Sequence, residues 1–410
     1  MKLLIVGAGL SGLVTAHQVR EAGHEVLLLE ARDRVGGRVF SIREGLRDGQ
    51  YADVGAEMIY HGQSNITGLC EQHGLELTTE FNLGTEVPDI VFHGEKLSRE
   101  ASAEIVEELR GAIRSTPPGL YETVAQWLRR AHVSEPVELL LTAIAQGTPA
   151  SPLRVADAQE LNVELSWGKG FRKITGGNDR LPRALAGGLD IRLEQMVRVI
   201  AWGPDGVSVE TEKETFRADR ALVTVPGPLV SELAFDPVLP AEKVRALLEL
   251  RYGNGTRIVA QYAERDEIRA AIGAGCFTDR LPGYVMEQSR HQAGDSIVIS
   301  GLAAGDVEPA LHTEEQILDE FDQTLGSAIG RKVRRAFGFV KNWTKDPLTR
   351  AIVRAPTGDQ RKTVLPVIAA PLGDRVFFAG EHTDDRVGPG GMEGAIKSAF
   401  RVSKEILAAG

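Results

Sequence analysis

The chain begins with an apolar run that has no polar interruption, Leu3-Leu4-Ile5-Val6, and a second such run, Val26-Leu27-Leu28-Leu29, follows after a stretch with helical character. Continuous apolar runs of this length, without period-two alternation, read as strands buried on both faces, the pattern of a parallel sheet. Between them Leu13-Val14-Thr15-Ala16-His17-Gln18-Val19 reads as a helix. From about residue 79 to 187 the pattern is helical: Ala103-Glu104-Ile105-Val106-Glu107-Glu108-Leu109-Arg110 sets apolar residues at helical spacing against a charged face. Thr116-Pro117-Pro118-Gly119 breaks that run. Two shorter helices follow around Val124–Leu128 and Val137–Leu141, with Trp127 expected in the core. An Asp205-Gly206 pair after Pro204 predicts a hairpin. Ala218–Val225 reads as a buried strand that Pro226 ends, and Val376-Phe377-Phe378-Ala379 belongs to another.

The turn that joins the first strand to the first helix is Gly7-Ala8-Gly9-Leu10-Ser11-Gly12. In a strand–turn–helix unit, Gly7 permits the tight turn, Gly9 lets the backbone approach a pyrophosphate, and Gly12 lets the helix sit close to the strand. Glu30 ends the second apolar run, where a ribose hydroxyl needs an acceptor. Glycines alone also punctuate ordinary turns. The second strand with its terminal acid makes this one a dinucleotide site.

With 410 residues, the chain exceeds the usual size of one domain. Its 47 basic and 57 acidic residues leave a net charge of −10, which argues against nucleic acid or an anionic membrane as partner and mildly favours a cationic substrate. Cys70 and Cys276 form no CxxC or Cys/His cluster, so neither a disulfide framework nor a metal site is expected. The start Met1–Val6 imitates a signal peptide but breaks at Gly7, and no stretch reaches the roughly eighteen apolar residues of a membrane span. A cytoplasmic protein is the expectation.

After Glu30 comes Ala31-Arg32-Asp33-Arg34-Val35-Gly36-Gly37-Arg38, and near the other end stands Gly380-Glu381-His382-Thr383, then Gly388-Pro389-Gly390-Gly391-Met392-Glu393-Gly394-Ala395. These two segments closely resemble the FAD-binding signatures of the flavin-containing amine oxidase superfamily. The resemblance implies an α/β fold: a Rossmann-like FAD-binding domain of the doubly wound, GxGxxG type, interrupted by an α+β substrate-binding domain. It divides the chain into 1–78, 188–243 and 340–410 for FAD and 79–187 and 244–339 for substrate.

By the same resemblance, FAD is held by Gly7, Gly9, Ser11, Gly12, Glu30, Ala31, Arg32, Gly37 and Arg38. Gly55, Ala56, Glu57 and Met58 follow on a turn that passes the flavin. Val197 meets the adenine, and Gly380 and Glu381 meet the ribityl and phosphate side. Gly391, Met392 and Ala395 lie on a helix whose N-terminus points at the ring. Trp343, in Asn342-Trp343, matches a tryptophan that packs by the flavin; a plain core tryptophan is the alternative. Glu57 either faces the substrate or stands as an exposed loop acid. Arg257 occupies the position of a lysine that the family holds by a water to flavin N5, and arginine, always charged and forked, cannot copy a neutral lysine. Arg257 and Glu57 are therefore expected to face each other or to bracket a polar substrate group. With Trp343 they are the candidate catalytic residues.

Other departures bear on substrate. Two tyrosines that form an aromatic cage in the monoamine-oxidase branch fall on Gly391 and, within a residue, on Val353, so the cage is absent. A cysteine that tethers flavin in some relatives falls near Ile352, which implies non-covalent FAD. Amino-acid oxidases place an arginine beyond the Gly-Ala turn, where this chain has Glu57-Met58-Ile59-Tyr60, so an amine, an amide or a larger nitrogen compound is favoured over a plain α-amino acid. The resulting expectation is an oxidase that moves a hydride from a carbon next to nitrogen to flavin N5 and is reoxidised by dioxygen to hydrogen peroxide. A carbon–carbon desaturase on the same scaffold and a non-catalytic flavin-binding protein are the alternatives. The partners expected are a small-molecule substrate and dioxygen, with a homodimer as the candidate assembly.

Overall fold

In the computed structural model, which describes residues 1–79, 87–147, 150–161, 170–305, 312–385 and 390–409, the first apolar run becomes β1 (Lys2–Val6). It is followed by α1 (Leu10–Glu21) and β2 (Glu25–Leu29). β1 lies in the middle of a five-stranded parallel sheet ordered Val376–Phe378, Arg220–Val223, β1, β2, Asp190–Arg192. Its side chains alternate between two cores. Leu3 and Ile5 pack with Leu13 of α1 and with Ile396 and Val402 of the C-terminal helix Gly391–Ala408. Leu4 and Val6 pack with Val197, Ile200 and Phe378 on the other side. Burial on both faces explains why the run carries no polar residue.

That second face is covered by a four-stranded sheet ordered Thr215–Ala218, Gly206–Thr211, Val197–Gly203, Ala234–Asp236. The Asp205-Gly206 hairpin forms as the sequence predicts: Gly203 pairs with Gly206, whose φ of 121° no side chain adopts easily. The strand read over Ala218–Val225 is shorter, Arg220–Val223. Just beyond it, Thr224 donates to the Val6 carbonyl with both its backbone N–H and its hydroxyl, each at 2.9 Å, beside the glycine turn.

The second large sheet has seven strands, ordered Arg335–Asn342, Gly255–Tyr262, Ile297–Ala304, Tyr284–Glu287, Gly275–Thr278, Asp89–Phe92, Glu95–Lys96. Helices Arg99–Ser115, Val124–Ala131 and Glu135–Gly147 bury Trp127 and their apolar faces against one side. Helices Arg265–Ile272 and Glu314–Ile329 cover the other. Two features differ from the sequence expectation. The region from residue 79 is not helical throughout: Asp89–Phe92 and Glu95–Lys96 form a hairpin over His93 and Gly94, both at positive φ. Its first strand pairs in parallel with Gly275–Thr278, a partner so distant in sequence that no local period reveals it. In addition, the strand Arg335–Asn342 runs through the boundary placed at residue 340, because it pairs along its length with Gly255–Tyr262.

Among the described residues no helix is long and apolar enough to cross a membrane, and no group of His, Cys, Asp and Glu is placed to hold a metal. Both cysteines are free and buried.

Candidate active site

The Gly7–Gly12 turn opens onto a cavity of about 680 Å³ that reaches from the end of β1 to the seven-stranded sheet. Gly7, Gly9 and Ser11 line it, with Gly9 capping α1. Gly12 lies beneath: a Cβ there would sit 2.2 Å from the Gly7 carbonyl oxygen, whereas a Cβ on Gly9 would meet nothing within 4 Å. Close helix–strand packing and open backbone are thus divided between two glycines. Glu30, at the end of β2, is buried and accepts from the Ala8 N–H at 2.8 Å and the Arg32 N–H at 2.9 Å. Burial raises its carboxyl pKa above the ordinary value.

Ala31 and Arg32 also line the cavity, and Arg32 Nη2 is fixed by Asp346 at 2.7 Å and Thr349 at 2.9 Å. Gly37 and Arg38 follow. Arg38 Nη1 donates to Glu381 Oε1 at 2.9 Å and to the Ile352 carbonyl at 2.6 Å. Burial opposes the charged form of Glu381, but Arg38 and Arg354 beside it prevail and hold its carboxyl below the usual range. Gly380, Glu381, and Gly391, Met392 and Ala395 at the start of the C-terminal helix complete this wall. Gly388 and Pro389 of the C-terminal signature lie outside the described residues. Val197 contributes from the start of Val197–Gly203, an inner strand of the four-stranded sheet.

The far end begins at the Gly55-Ala56 turn. Gly55 is required there, since a Cβ would fall 1.9 Å from the Arg38 carbonyl oxygen. Asn178 clamps the turn from the Gly176-Gly177 segment, its side-chain amide donating to the Ala56 carbonyl at 3.0 Å and the Glu57 carbonyl at 2.8 Å. Trp343 is buried and anchored by Nε1 to the Val54 carbonyl at 2.8 Å. Glu57, Met58, Arg257 and Trp343 all line the cavity. Gly391 and Val353, the positions of the missing cage, line it as well. The aromatic rings come from elsewhere, in two edge-packed or tilted pairs: Tyr60 with Phe171 and Phe277 with Tyr284.

Glu57 is not an exposed loop acid. It is 4% exposed and lies between two cations. Lys173 Nζ reaches its Oε1 at 2.6 Å, and Arg257 Nη1 lies 2.9 Å from its Oε2. The first contact is a hydrogen bond. The second is an ion pair whose N–H directions miss the oxygen, so that Glu57 Oε2 and Arg257 Nη1 both lack a hydrogen-bonding partner despite their closeness. Gln288 joins the network: its side-chain carbonyl accepts from Lys173 at 2.7 Å and its amide donates to Glu57 Oε1 and, at 2.8 Å, to the Ser300 hydroxyl. The facing of Glu57 and Arg257 is therefore a feature of the structure. Lys173 and Gln288 went unremarked as site residues in the sequence because nothing local marks them; Lys173 follows the two-residue strand Phe171–Arg172, whose pairing with Ile59–Tyr60 carries it to Glu57.

A Gly-rich turn at a helix N-terminus, an acid at the tip of β2, and an aromatic chamber on the same cavity make a dinucleotide site joined to a substrate chamber. The family profile described as flavin containing amine oxidoreductase matches residues 10–164 and 143–407, and the chain belongs to this family. It is accordingly a flavin-dependent oxidoreductase acting on C–N bonds. The chain is 27% identical to the L-amino-acid oxidase of Mus musculus, over 99% of this chain and 70% of that protein. It is 29% identical to the lysine-specific histone demethylase 1 homolog 2 of Oryza sativa subsp. japonica, over 99% of this chain and 57% of that protein. Among solved structures, wild-type putrescine oxidase bound to putrescine superposes with a TM-score of 0.84 at 20% identity, covering 100% of this chain and 99% of that one. Cyclohexylamine oxidase from Brevibacterium oxydans gives 0.83 at 19%, covering 99% of each.

Proposed function

We propose that this protein is an FAD-dependent oxidase of amines or bulkier nitrogen compounds, holding FAD without a covalent bond and returning electrons to dioxygen as hydrogen peroxide. The observation that carries this reading is the single cavity joining the nucleotide turn of β1–α1 to an apolar aromatic chamber. When bound there, FAD supplies the acceptor for a hydride leaving the carbon next to nitrogen.

The residues present fit such a cofactor. Gly9 offers open backbone at the N-terminus of α1, where main-chain N–H groups favour phosphate, and Glu30 stands at the tip of β2 for a ribose hydroxyl. Arg32 and Arg38 are pre-positioned by Asp346 and Glu381. The helix from Gly391 presents its N-terminus, the end that stabilises negative charge. Trp343, pinned to Val54, closes one side. In the chamber, apolar and aromatic walls strip water from the reacting amine and so favour its neutral form, the form with a nitrogen lone pair available. Residues 1–78, 188–243 and 340–410 serve FAD in this reading, and 79–187 with 244–339 shape the substrate end. Two buried free cysteines suit a reducing, cytoplasmic compartment.

The test is an anaerobic titration of the purified yellow protein with amines, amides and amino acids while the visible flavin band is followed. Bleaching by a nitrogen compound, then peroxide on admission of air, is expected. Bleaching only by a compound without a reacting C–N bond moves the assignment to a desaturase. Acid precipitation checks the mode of attachment: the flavin is expected in the supernatant, and flavin in the pellet overturns non-covalent binding.

A further inference from the structure

Arg257 is a buried cation, two of whose three nitrogens find no hydrogen-bond acceptor in the protein. It lies on Gly255–Tyr262, the second strand in the order of the seven-stranded sheet, and is 7% exposed. Its Nε and Nη1 are buried without an acceptor. Glu57 is close enough to attract it, but the hydrogen bonds of that carboxylate go to Lys173 and Gln288 through Oε1. Lys173 thus neutralises Glu57 by direct donation, while Arg257 is held alongside by charge alone. The other nearby acid, Asp53, accepts from Ser41 and from the Asn178 N–H and does not line the cavity.

A guanidinium remains protonated in proteins and carries five N–H donors in a fixed fork. Burying such donors without an acceptor costs on the order of 1–3 kcal/mol per group, so buried polar groups of this kind are nearly always satisfied, by the protein or by what it binds. The natural complement of the fork is a carboxylate. Among the described residues, Met58, Tyr60, Phe171, Phe277 and Tyr284 give this end of the cavity a largely apolar and aromatic wall, with Gln63 a polar neighbour of Tyr60. They call for a hydrophobic body.

Resting on the oxidase reading, we propose that Arg257 binds the carboxylate of the substrate, which is a nitrogen compound bearing a carboxylate near the reacting C–N bond and a large apolar or aromatic side chain. Glu57 acts as a positioning residue: pinned by Lys173 and Gln288, it fixes the guanidinium without consuming its donors. A substrate whose only charge is a second ammonium group is disfavoured, because Lys173 and Arg257 both stand beside Glu57, the one acid among the described residues that lines this end, and that acid is already hydrogen-bonded.

Two probes separate the halves of such a substrate: 3-phenylpropanoate has the carboxylate and no amine, and 3-phenylpropylamine has the amine and no carboxylate. Calorimetric titration of each into the purified holoprotein, with the visible flavin band as a second readout, is the experiment. The carboxylate is expected to bind more tightly than the amine. Arg257→Met is expected to weaken the carboxylate roughly 10- to 100-fold, the equivalent of one or two charge-assisted hydrogen bonds, and to leave the amine unchanged, with Arg257→Lys between. Tighter binding of the amine by the wild-type protein, or an unchanged carboxylate affinity in Arg257→Met, overturns the proposal. The wild-type comparison needs no variant, so it stands if Arg257→Met does not fold. Because calorimetry requires no turnover, carboxylate binding is decided even if no nitrogen compound bleaches the flavin, the result that would remove the oxidase reading instead.

Discussion

Two buried titratable residues near the cavity respond to pH in opposite senses. Asp53 is fully buried, and desolvation pushes its carboxyl up to about 6. A folded-state pKa above the unfolded value means that the folded protein holds the proton more tightly, so Asp53 favours folding below pH 4 and loses that contribution as pH rises through 6. His382 is also buried, and desolvation lowers its imidazole to about 4. It favours folding above pH 6.5 and loses that contribution as pH falls through 4. Between pH 4 and 6 the two effects oppose each other in the wild-type protein. Asp53→Asn, which keeps a carbonyl for Ser41 and Asn178, is expected to gain stability relative to wild type by about 1–3 kcal/mol between pH 4 and 7, because only the wild-type protein must take up a buried charge there as pH rises. Melting temperatures of both proteins across that range provide the check; a difference that is the same at pH 4 and pH 7 would refute the assignment. The residue scale is also where the sequence was least informative. Glu57 and Arg257 drew attention because each departs from a pattern, but their geometry depends on Lys173 and Gln288, which lie on different segments and carry no local signature. Arg257 Nη1 also lies 2.9 Å from the acid that follows the Gly-Ala turn. The positive charge whose absence after that turn spoke against a carboxylate substrate is therefore supplied from another strand.

At the scale of an element, the β1–α1 unit was legible because its physics is local: an apolar run, three spaced glycines and a helix pattern all point to one arrangement. The structure separates the work of those glycines in a way that spacing alone does not. Gly12→Ala drives a Cβ into the Gly7 carbonyl and is expected to destabilise the fold itself. Gly9→Ala meets nothing in the protein and is expected to leave the flavin-free protein intact while weakening FAD. Melting of flavin-free protein together with an FAD titration distinguishes the two. If Gly9→Ala bound FAD as tightly as wild type, the turn would not be approaching the pyrophosphate. The hairpin Asp89–Lys96 is the contrasting case. Its first strand is only four residues long, its edge is completed by Gly275–Thr278, and a short apolar run of that kind is ambiguous until its partner is known.

At the scale of the whole molecule, the cavity is where three sheets meet. Gly7 reaches it from the parallel sheet, Val197 from the four-stranded sheet and Arg257 from the seven-stranded sheet. The parallel sheet packs with α1 and the C-terminal helix on one face and shares its other core with the four-stranded sheet, whereas the seven-stranded sheet lies between two helical layers of its own. A ligand lying along the cavity therefore touches units whose cores are otherwise distinct, and binding to the folded state alone stabilises by mass action, about 2.7 kcal/mol at a free concentration one hundred times Kd. Removal of flavin by dialysis against acidic bromide is expected to lower the melting temperature and to broaden or split the transition, because the link between units is lost while their cores remain. Adding FAD back is expected to restore a single transition whose midpoint rises with the logarithm of FAD concentration. A midpoint indifferent to FAD would mean that the dinucleotide does not bridge these sheets, and would place the cofactor somewhere other than the cavity that the glycine turn, Val197 and Arg257 share.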